Sequence, residues 1–323
     1  MEWSGGTRRR DGKAVPVGPA RAKMRPVRRR GKRPSAPRLA ARRARGYHPG
    51  PVPVTRSPRA TTMPHPLPPR ALVAGALLAV GASACASTAT LDADAPNRLT
   101  AAERAEGWTL LFDGTTLRGW RGLGRDTVPT AHWRVEDGAI RKLPSGQVAV
   151  QADGQPIGGG DLMTVATYGD FELTWEWKVA PGANSGVKYN VSEPLSTAIE
   201  PRHAAKGFEY QVIDDDRHPD GRIVKHQTAD LYDLVAADAR KRVRPVGEWN
   251  RSRIVVRGPH GEHWLNGERV VAYDLGTPAM TAALAASKYR DWAWFGERRR
   301  GHVVLQDHND AVWFRSLKLR ELR

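Results

Sequence analysis

The chain has 323 residues, with 51 Lys and Arg against 34 Asp and Glu, a formal charge of +17, and one cysteine. The charge is uneven: residues 1–62 hold 18 basic side chains and two acids, Glu2 and Asp11, whereas residues 63–323 hold 33 and 32. A nearly neutral folded part argues against a basic nucleic-acid surface, and a lone cysteine excludes a fold stapled by internal disulfides.

Taken in order, residues 1–62 are Pro- and Gly-rich with clusters such as Arg28-Arg29-Arg30-Gly31-Lys32-Arg33 and no apolar periodicity. Such a segment cannot bury enough surface to offset chain ordering and is expected to be disordered. Two readings stay open: a polybasic arm for nucleic acid or membrane, or sequence upstream of a true initiator at Met63. From Met63, His65 and Arg70 form a short basic region before the apolar run ALVAGALLAVGASA at residues 71–84. A permanent bilayer span needs about 20 residues; this run has the length of a signal-peptide core, with Ala82-Ser83-Ala84 as its cleavage site. Cys85 follows directly and resembles the acylated cysteine of a bacterial lipobox, with Ala82 where a larger aliphatic residue is usual. Residues 63–85 therefore predict export, either as a periplasmic or cell-surface lipoprotein held to the membrane only through Cys85, or as a secreted chain. Residues 86–104 are small and polar and read as a spacer.

From residue 105 the pattern is that of β-structure. In FELTWEWKV (171–179) apolar residues hold every odd position and polar ones every even position, the period of a strand with one buried and one wet face. RIVVR (253–257), EHWL (262–265) and ERVVAY (268–273) form successive strands, the last two joined by Asn266-Gly267, the signature of a type I′ hairpin turn. HVVLQ (302–306) and VWFRSLKL (312–319) close the chain. One helix stands out, with Thr277 as N-cap, Pro278 at its first position and an Ala-rich run to about Lys288. Many short strands and few helices predict an all-β antiparallel sandwich.

LLFDG (110–114), WRVEDGAI (133–140), GDL (160–162), ANSGVKY (183–189), GFEYQVIDDDRHPD (207–220), LYDL (231–234), HWLNG (263–267) and LQDH (305–308), in this order, resemble the 3-keto-disaccharide hydrolase domain family. Asp230 before LYDL, Asn309 after LQDH and Trp292-Ala293-Trp294 depart from the family pattern. The resemblance implies a concanavalin-A-like jelly roll over about residues 107–322. It also implies cleavage of glycosides whose C3 hydroxyl has been oxidised to a ketone, the substrate being an oxidised glycoside or disaccharide. A C3 ketone acidifies the C2 hydrogen, so a base can remove it, the enolate can expel the C1 substituent, and water can then add. That chemistry needs a base, a group to hold enolate charge and an acid for the leaving oxygen. The alternative on the same fold is a non-catalytic carbohydrate-binding module.

Strand alternation puts Glu209 and Gln211 on one face of FEYQV (208–212) and Phe208, Tyr210 and Val212 on the other. With the resemblance, Glu209 is the first candidate for base or acid, His226 and His308 are the candidate imidazoles, a side chain of the type suited to proton transfer near neutral pH, and Lys188 is the cation for enolate charge. Gln211, Asn184, Tyr189, Tyr232, Gln306 and Asp307 are candidate substrate contacts; Tyr189 and Asp307 have packing and turn roles as alternatives. Ten tryptophans lie from Trp108 onward; Trp175 and Trp177 fall on an apolar strand face and read as core, leaving Trp292 and Trp294 as sugar platforms. No phosphate-cradling glycine loop or dinucleotide fingerprint occurs, so no organic cofactor is expected. Asp214-Asp215-Asp216 and the following DRHPDG segment read as loop caps rather than as a divalent-metal loop, because His218 is a poor ligand for a hard cation and position twelve is Gln227.

Overall fold

The computed structural model describes residues 95–146, 148–150, 154–297 and 299–323. The expectations for residues 1–62, for the signal segment 63–85 and for Cys85 lie outside the described residues.

Two antiparallel sheets face one another. The larger contains β1 (Thr109–Leu110), β3 (Trp133–Glu136), β4 (Ala139–Lys142), β6 (Phe171–Val179), β9 (Asn250–Arg257), β10 (His260–Leu265), β11 (Glu268–Asp274) and β13 (Val312–Glu321). Its order is β11-β10-β9-β6-β13-β4-β3, with β1 pairing the far end of β13. The smaller sheet is β2-β5-β12-β7-β8, built from β2 (Trp120–Gly122), β5 (Leu162–Thr164), β7 (Asn184–Val191), β8 (Phe208–Ile213) and β12 (His302–Leu305). This is the expected jelly-roll sandwich. Its few helices are α1 (Ala101–Ala105), α2 (Glu193–Ala198) and α3 (Pro278–Ala285). Thr277 caps α3 by accepting the Met280 N–H, as predicted, but the helix ends at Ala285 rather than near Lys288. Asn266 and Gly267 both have positive φ, 49° and 90°, as a type I′ turn requires.

Apolar residues from both sheets meet between them: Leu173, Trp175 and Trp177 from β6, Val187 and Tyr189 from β7, Phe208, Tyr210 and Val212 from β8, and Phe314 from β13. Most polar atoms that enter this core are paired, as burial demands, although the Trp175 indole N–H has no hydrogen-bond partner. The Trp177 indole N–H donates to Ser252, and Ser252 donates to the Tyr210 hydroxyl at 2.7 Å. His263 Nδ1 donates to the Ala229 carbonyl, so its neutral ring accepts at Nε2 from the Tyr189 hydroxyl, 2.9 Å away. Tyr189 is thereby a core residue with no exposed surface, and the expectation that it contacts substrate is corrected.

The folded part also starts earlier than residue 105. Thr100 and Glu103 form a capping box on α1, and Asn97 is buried, donating to the Gly138 carbonyl and accepting from the Ser316 N–H. Residues 95–104 are docked on the larger sheet rather than a free spacer, because the Asn97 amide and the Glu103 carboxylate, which pairs with Lys318 at 2.6 Å, both find partners there.

Candidate active site

The outward face of the smaller sheet is polar, but it is not open. Every residue of β7 and β8 is buried, because residues of the loops around Gln155, Pro201–Lys206, Tyr232, Lys288–Trp292 and Gln306–His308 lie over that face. Its register is set by pairs across β7 and β8: Lys188 opposite Glu209, and Gly186 opposite Gln211. On the other side of β7, the Gln306 N–H donates to the Gly186 carbonyl at 2.9 Å. Glu209, Gln211, Asn184, Gln306 and His308 thus share one narrow hollow, together with Tyr232, Gln155 and Lys288. Lys188 Nζ stands 3.6 Å from a Glu209 carboxylate oxygen, both side chains less than a tenth exposed.

Gly186 makes room for the carboxylate. A Cβ at that position would lie 2.9 Å from both Cγ and Cδ of Glu209, well inside the 3.5–4.0 Å of normal carbon contact. Around it, Asn184 Oδ1, Gln211 Oε1 and Gln306 Oε1 are all buried without a hydrogen-bond partner. The Gln211 amide is oriented by its NH2, which donates to the His226 carbonyl, so its oxygen is the atom left over. Three unpaired amide oxygens in one hollow each carry a desolvation cost of about 1–3 kcal/mol, which hydroxyl donors of a polyol would remove.

The loop after β12 is fixed from beneath. Asp307 ion-pairs with Lys142 at 2.9 Å and contacts His132 Nδ1, all but His132 fully buried. Its own N–H donates to Asp161, whose second oxygen accepts from Ala205. Burial pushes the Asp161 carboxyl up to about 6, against the pull of Lys188. The Asp307 side chain therefore holds the loop that presents Gln306 and His308; it does not line the hollow, and its expected substrate contact is corrected. A Cβ on Gly160, in the GDL segment, would sit 2.8 Å from Asp307 Cγ, which explains the glycine there.

His226 stacks on Tyr232 with ring centroids 4.3 Å apart and sets Nε2 3.2 Å from Asp233. It is not among the residues lining the hollow, so it supports the Tyr232 wall instead of facing substrate. Trp292 lines a second cavity that adjoins the hollow, whereas Trp294 stacks on Trp292 at 5.4 Å and lines neither cavity; the platform expected from the pair reduces to Trp292.

The acidic run caps its loop. Asp214 accepts from the N–H groups of Gly182, Asp216 and Arg217, Asp215 from Thr228, and the departing residue Asp230 from Gln227 and Ala237. Nearby, ligand-type atoms of His218, His308 and Asp310 all lie within 4.8 Å of one another. His218 Nδ1, however, accepts the Asp220 N–H, so the neutral ring carries its proton on Nε2 and offers a donor there, not a metal-ligating lone pair. A cavity of about 700 Å³ between Asp214–Arg217 and residues 239–250 shares no lining residue with the hollow.

Sequence reasoning missed Gln155, Lys288, His218 and the Lys142–Asp307–His132 cluster. Gln155, Lys288 and His132 sit in no patterned segment; His218 and Asp307 lie within segments that carry the family resemblance, but nothing in those segments names their partners, and Lys142 only ends the short strand AIRK.

Known proteins resemble this chain across its described domain. Residues 107–320 match the 3-keto-alpha-glucoside-1,2-lyase-like domain. A 3-keto-disaccharide hydrolase of Bacteroides thetaiotaomicron is 39% identical over 237 residues, covering 68% of this chain and 79% of that protein. A crystal structure of a candidate glycosyl hydrolase from Parabacteroides distasonis is 31% identical, with a TM-score of 0.61 over 71% of this chain and all of that one. A second Parabacteroides distasonis structure is 24% identical with a TM-score of 0.49, covering 67% and 99%. The match spans most of the chain and every segment of the hollow, and the chain belongs to the 3-keto-alpha-glucoside-1,2-lyase-like domain family.

Proposed function

We propose that this glycoside-cleaving enzyme acts on glycosides already oxidised to a ketone at C3, by removing the C2 proton, expelling the C1 substituent and then hydrating the product. The observation that carries this reading is the makeup of the hollow: Glu209 is the only carboxylate among its described lining residues, and its partner is an ammonium group, Lys188. Direct glycoside hydrolysis uses two carboxyl groups flanking the bond. Elimination next to a ketone needs one base and a site for enolate charge.

In this mechanism Glu209 takes the C2 proton, and Lys188 beside it stabilises the negative charge that moves onto the ketone oxygen. His308, on the loop held by Asp307, gives a proton to the leaving oxygen. Asn184, Gln211 and Gln306 accept hydrogen bonds from sugar hydroxyls through the three oxygens that lack partners. Chromogenic 3-keto-glucosides test the reading: leaving-group release by the wild type that is lost in Glu209→Gln supports it. Saturable binding of the sugar with no turnover would identify a carbohydrate-binding module instead.

Export completes the proposal, on the strength of the apolar run at 71–84 followed by Cys85. Mass spectrometry of the mature protein should show an N-terminus at Cys85, with or without acyl chains, and a product retaining residues 1–62 would refute it.

A further inference from the structure

A single carboxylate, that of Asp233, ties together two walls of the hollow. Residues 229–232 lie along the outer edge of β8: the Gln211 N–H donates to the Asp230 carbonyl, the Ala229 N–H to the Gln211 carbonyl and the Tyr232 N–H to the Glu209 carbonyl. At the end of this run Asp233 takes a φ of 62°, in the left-handed region that Asp, Asn and Gly tolerate, and its N–H donates to the Lys225 carbonyl at 2.7 Å. Its carboxylate meets two groups. One oxygen lies 3.2 Å from His226 Nε2, and the other accepts the Lys288 backbone N–H at 2.6 Å, from 55 residues further along the chain. An ionised carboxylate only accepts, so His226 carries a proton on Nε2. Burial pushes the Asp233 carboxyl up, but the hydrogen bonds from His226 and Lys288 outweigh it and hold the group below its ordinary value.

The groups that Asp233 holds are those that shape the hollow. His226 stacks on Tyr232 with 4.3 Å between ring centroids, its carbonyl orients the Gln211 amide, and the Lys288 ammonium stands 4.6 Å from the Tyr232 ring. Gln211, Tyr232 and Lys288 all line the hollow, whereas Asp233 is not among its described lining residues. We propose that Asp233 is a positioning residue for substrate, clipping the 226–233 loop to the Lys288 segment so that the glycoside meets a wall already in place. The inference rests on the reading of the hollow as a glycoside site. Glu209 is placed from the strand, by its pairing with Lys188 and the space at Gly186, so releasing the clip moves the wall and leaves the base where it is. Binding lost equally from ground state and transition state raises KM and spares kcat.

Asp233→Gly removes the carboxylate and keeps the left-handed backbone without strain. In the full chain it should raise KM for a chromogenic 3-keto-glucoside about tenfold, or about 1.4 kcal/mol, with kcat within about threefold of the wild type. Asp233→Asn keeps one acceptor oxygen and the same backbone preference, and should bring KM back to within about threefold. Hydrogen exchange needs no substrate and should show the Lys288 amide exchanging faster in Asp233→Gly than in the wild type. His226→Gln keeps the bond to Lys288 but removes the ring against Tyr232; it should also raise KM, and it carries the kinetic test if Asp233→Gly does not fold. A residue that served stability alone would lower the melting temperature and leave KM unchanged in the folded variant. A wild-type KM in folded Asp233→Gly or in His226→Gln would overturn the inference. So would a loss in kcat larger than the change in KM, an Asp233→Asn no better than Asp233→Gly, or unchanged exchange at Lys288. If the wild type does not turn over the 3-keto-glucoside, the reading of the hollow fails; faster exchange at Lys288 then still supports the clip, and unchanged exchange overturns it.

Discussion

Gly186→Ala is a one-carbon change that separates position from chemistry. The glycine's backbone is an ordinary strand, so alanine brings no conformational strain; what it brings is a methyl group 2.9 Å from Glu209 Cγ and Cδ. Carbon atoms settle at about 3.5–4.0 Å, so the carboxylate must retreat by roughly 1 Å. It cannot retreat freely, because Lys188 flanks it at 3.6 Å and the strand on which it sits is buried on both faces. Overpacking of this kind costs about 1–3 kcal/mol, or roughly 2–12 °C in melting temperature for a domain of this size. A 1 Å displacement of a reacting group lowers the rate by about 10²-fold. Steady-state cleavage of a chromogenic 3-keto-glucoside, alongside calorimetric unfolding, should therefore show a protein that folds cooperatively yet loses about two orders of magnitude in kcat. A folded Gly186→Ala with wild-type kcat would show that the placement of Glu209 is not what the reaction depends on.

The other expectations concern single side chains. Glu209→Gln keeps shape and removes the proposed base; kcat/KM should fall by about 10²–10⁴-fold at temperatures where the variant is still folded, since leaving Lys188 without its carboxylate also costs stability, and a loss under tenfold would remove Glu209 from the role. Lys142→Met leaves the Asp307 carboxylate buried without its cation, a destabilisation of about 3–5 kcal/mol that the double variant Lys142→Met, Asp307→Leu should partly restore; equal stability of single variant and wild type in urea would contradict the pairing. Burial holds His263 down to about 4, against about 6.5 in an unfolded chain. The unfolded state thus binds a proton that the folded ring refuses, and His263 withdraws about 3 kcal/mol of stability as pH falls from about 6.5 to 4. Asp161, raised to about 6, works in the opposite direction over the same window, so the wild-type profile is flattened. His263→Gln should consequently gain on the wild type by about 3 kcal/mol between pH 7 and pH 4 in urea titrations, and parallel profiles would refute the assignment.

Period-two patterning carried most of the fold. The odd-numbered residues of β6 are the core because alternation puts them there, and the same rule separates Glu209 and Gln211 from Phe208 and Tyr210. Register across strands was not legible: nothing in the order of letters says that Lys188 faces Glu209 or that Gly186 clears its carboxylate, since both depend on which strands pair. Alternation also decides Tyr189 for its packing alternative, since it follows Lys188 directly and so points the opposite way, into the sandwich. Asp307 did mislead. It follows a strand in a segment rich in polar groups, yet its partner Lys142 is at the end of β4 in the other sheet, a contact set by tertiary packing. Lys288 carried no signal because its importance comes from Tyr232 and Tyr289 beneath it.

The covered polar face explains why a sheet built for stability would bury groups that resist burial. Glu209, Lys188 and Asp161 lie under loops, although taking charged groups from water is costly and replacing such sets with apolar residues is often stabilising. Three amide oxygens without partners add to that cost. A fold under selection for stability alone has no use for this arrangement. A site that must hold enolate charge does, because the interaction of an ammonium group with a developing anion strengthens as water is excluded. Asp161 fits the same logic. Its carboxyl is held near 6 by burial despite the pull of Lys188, so below about pH 6 it takes a proton and stops competing with Glu209 for the same cation. The ammonium charge is thereby left available on the side where the substrate ketone would lie, and replacing Asp161 by Asn should leave kcat less sensitive to pH between 5 and 7 than in the wild type.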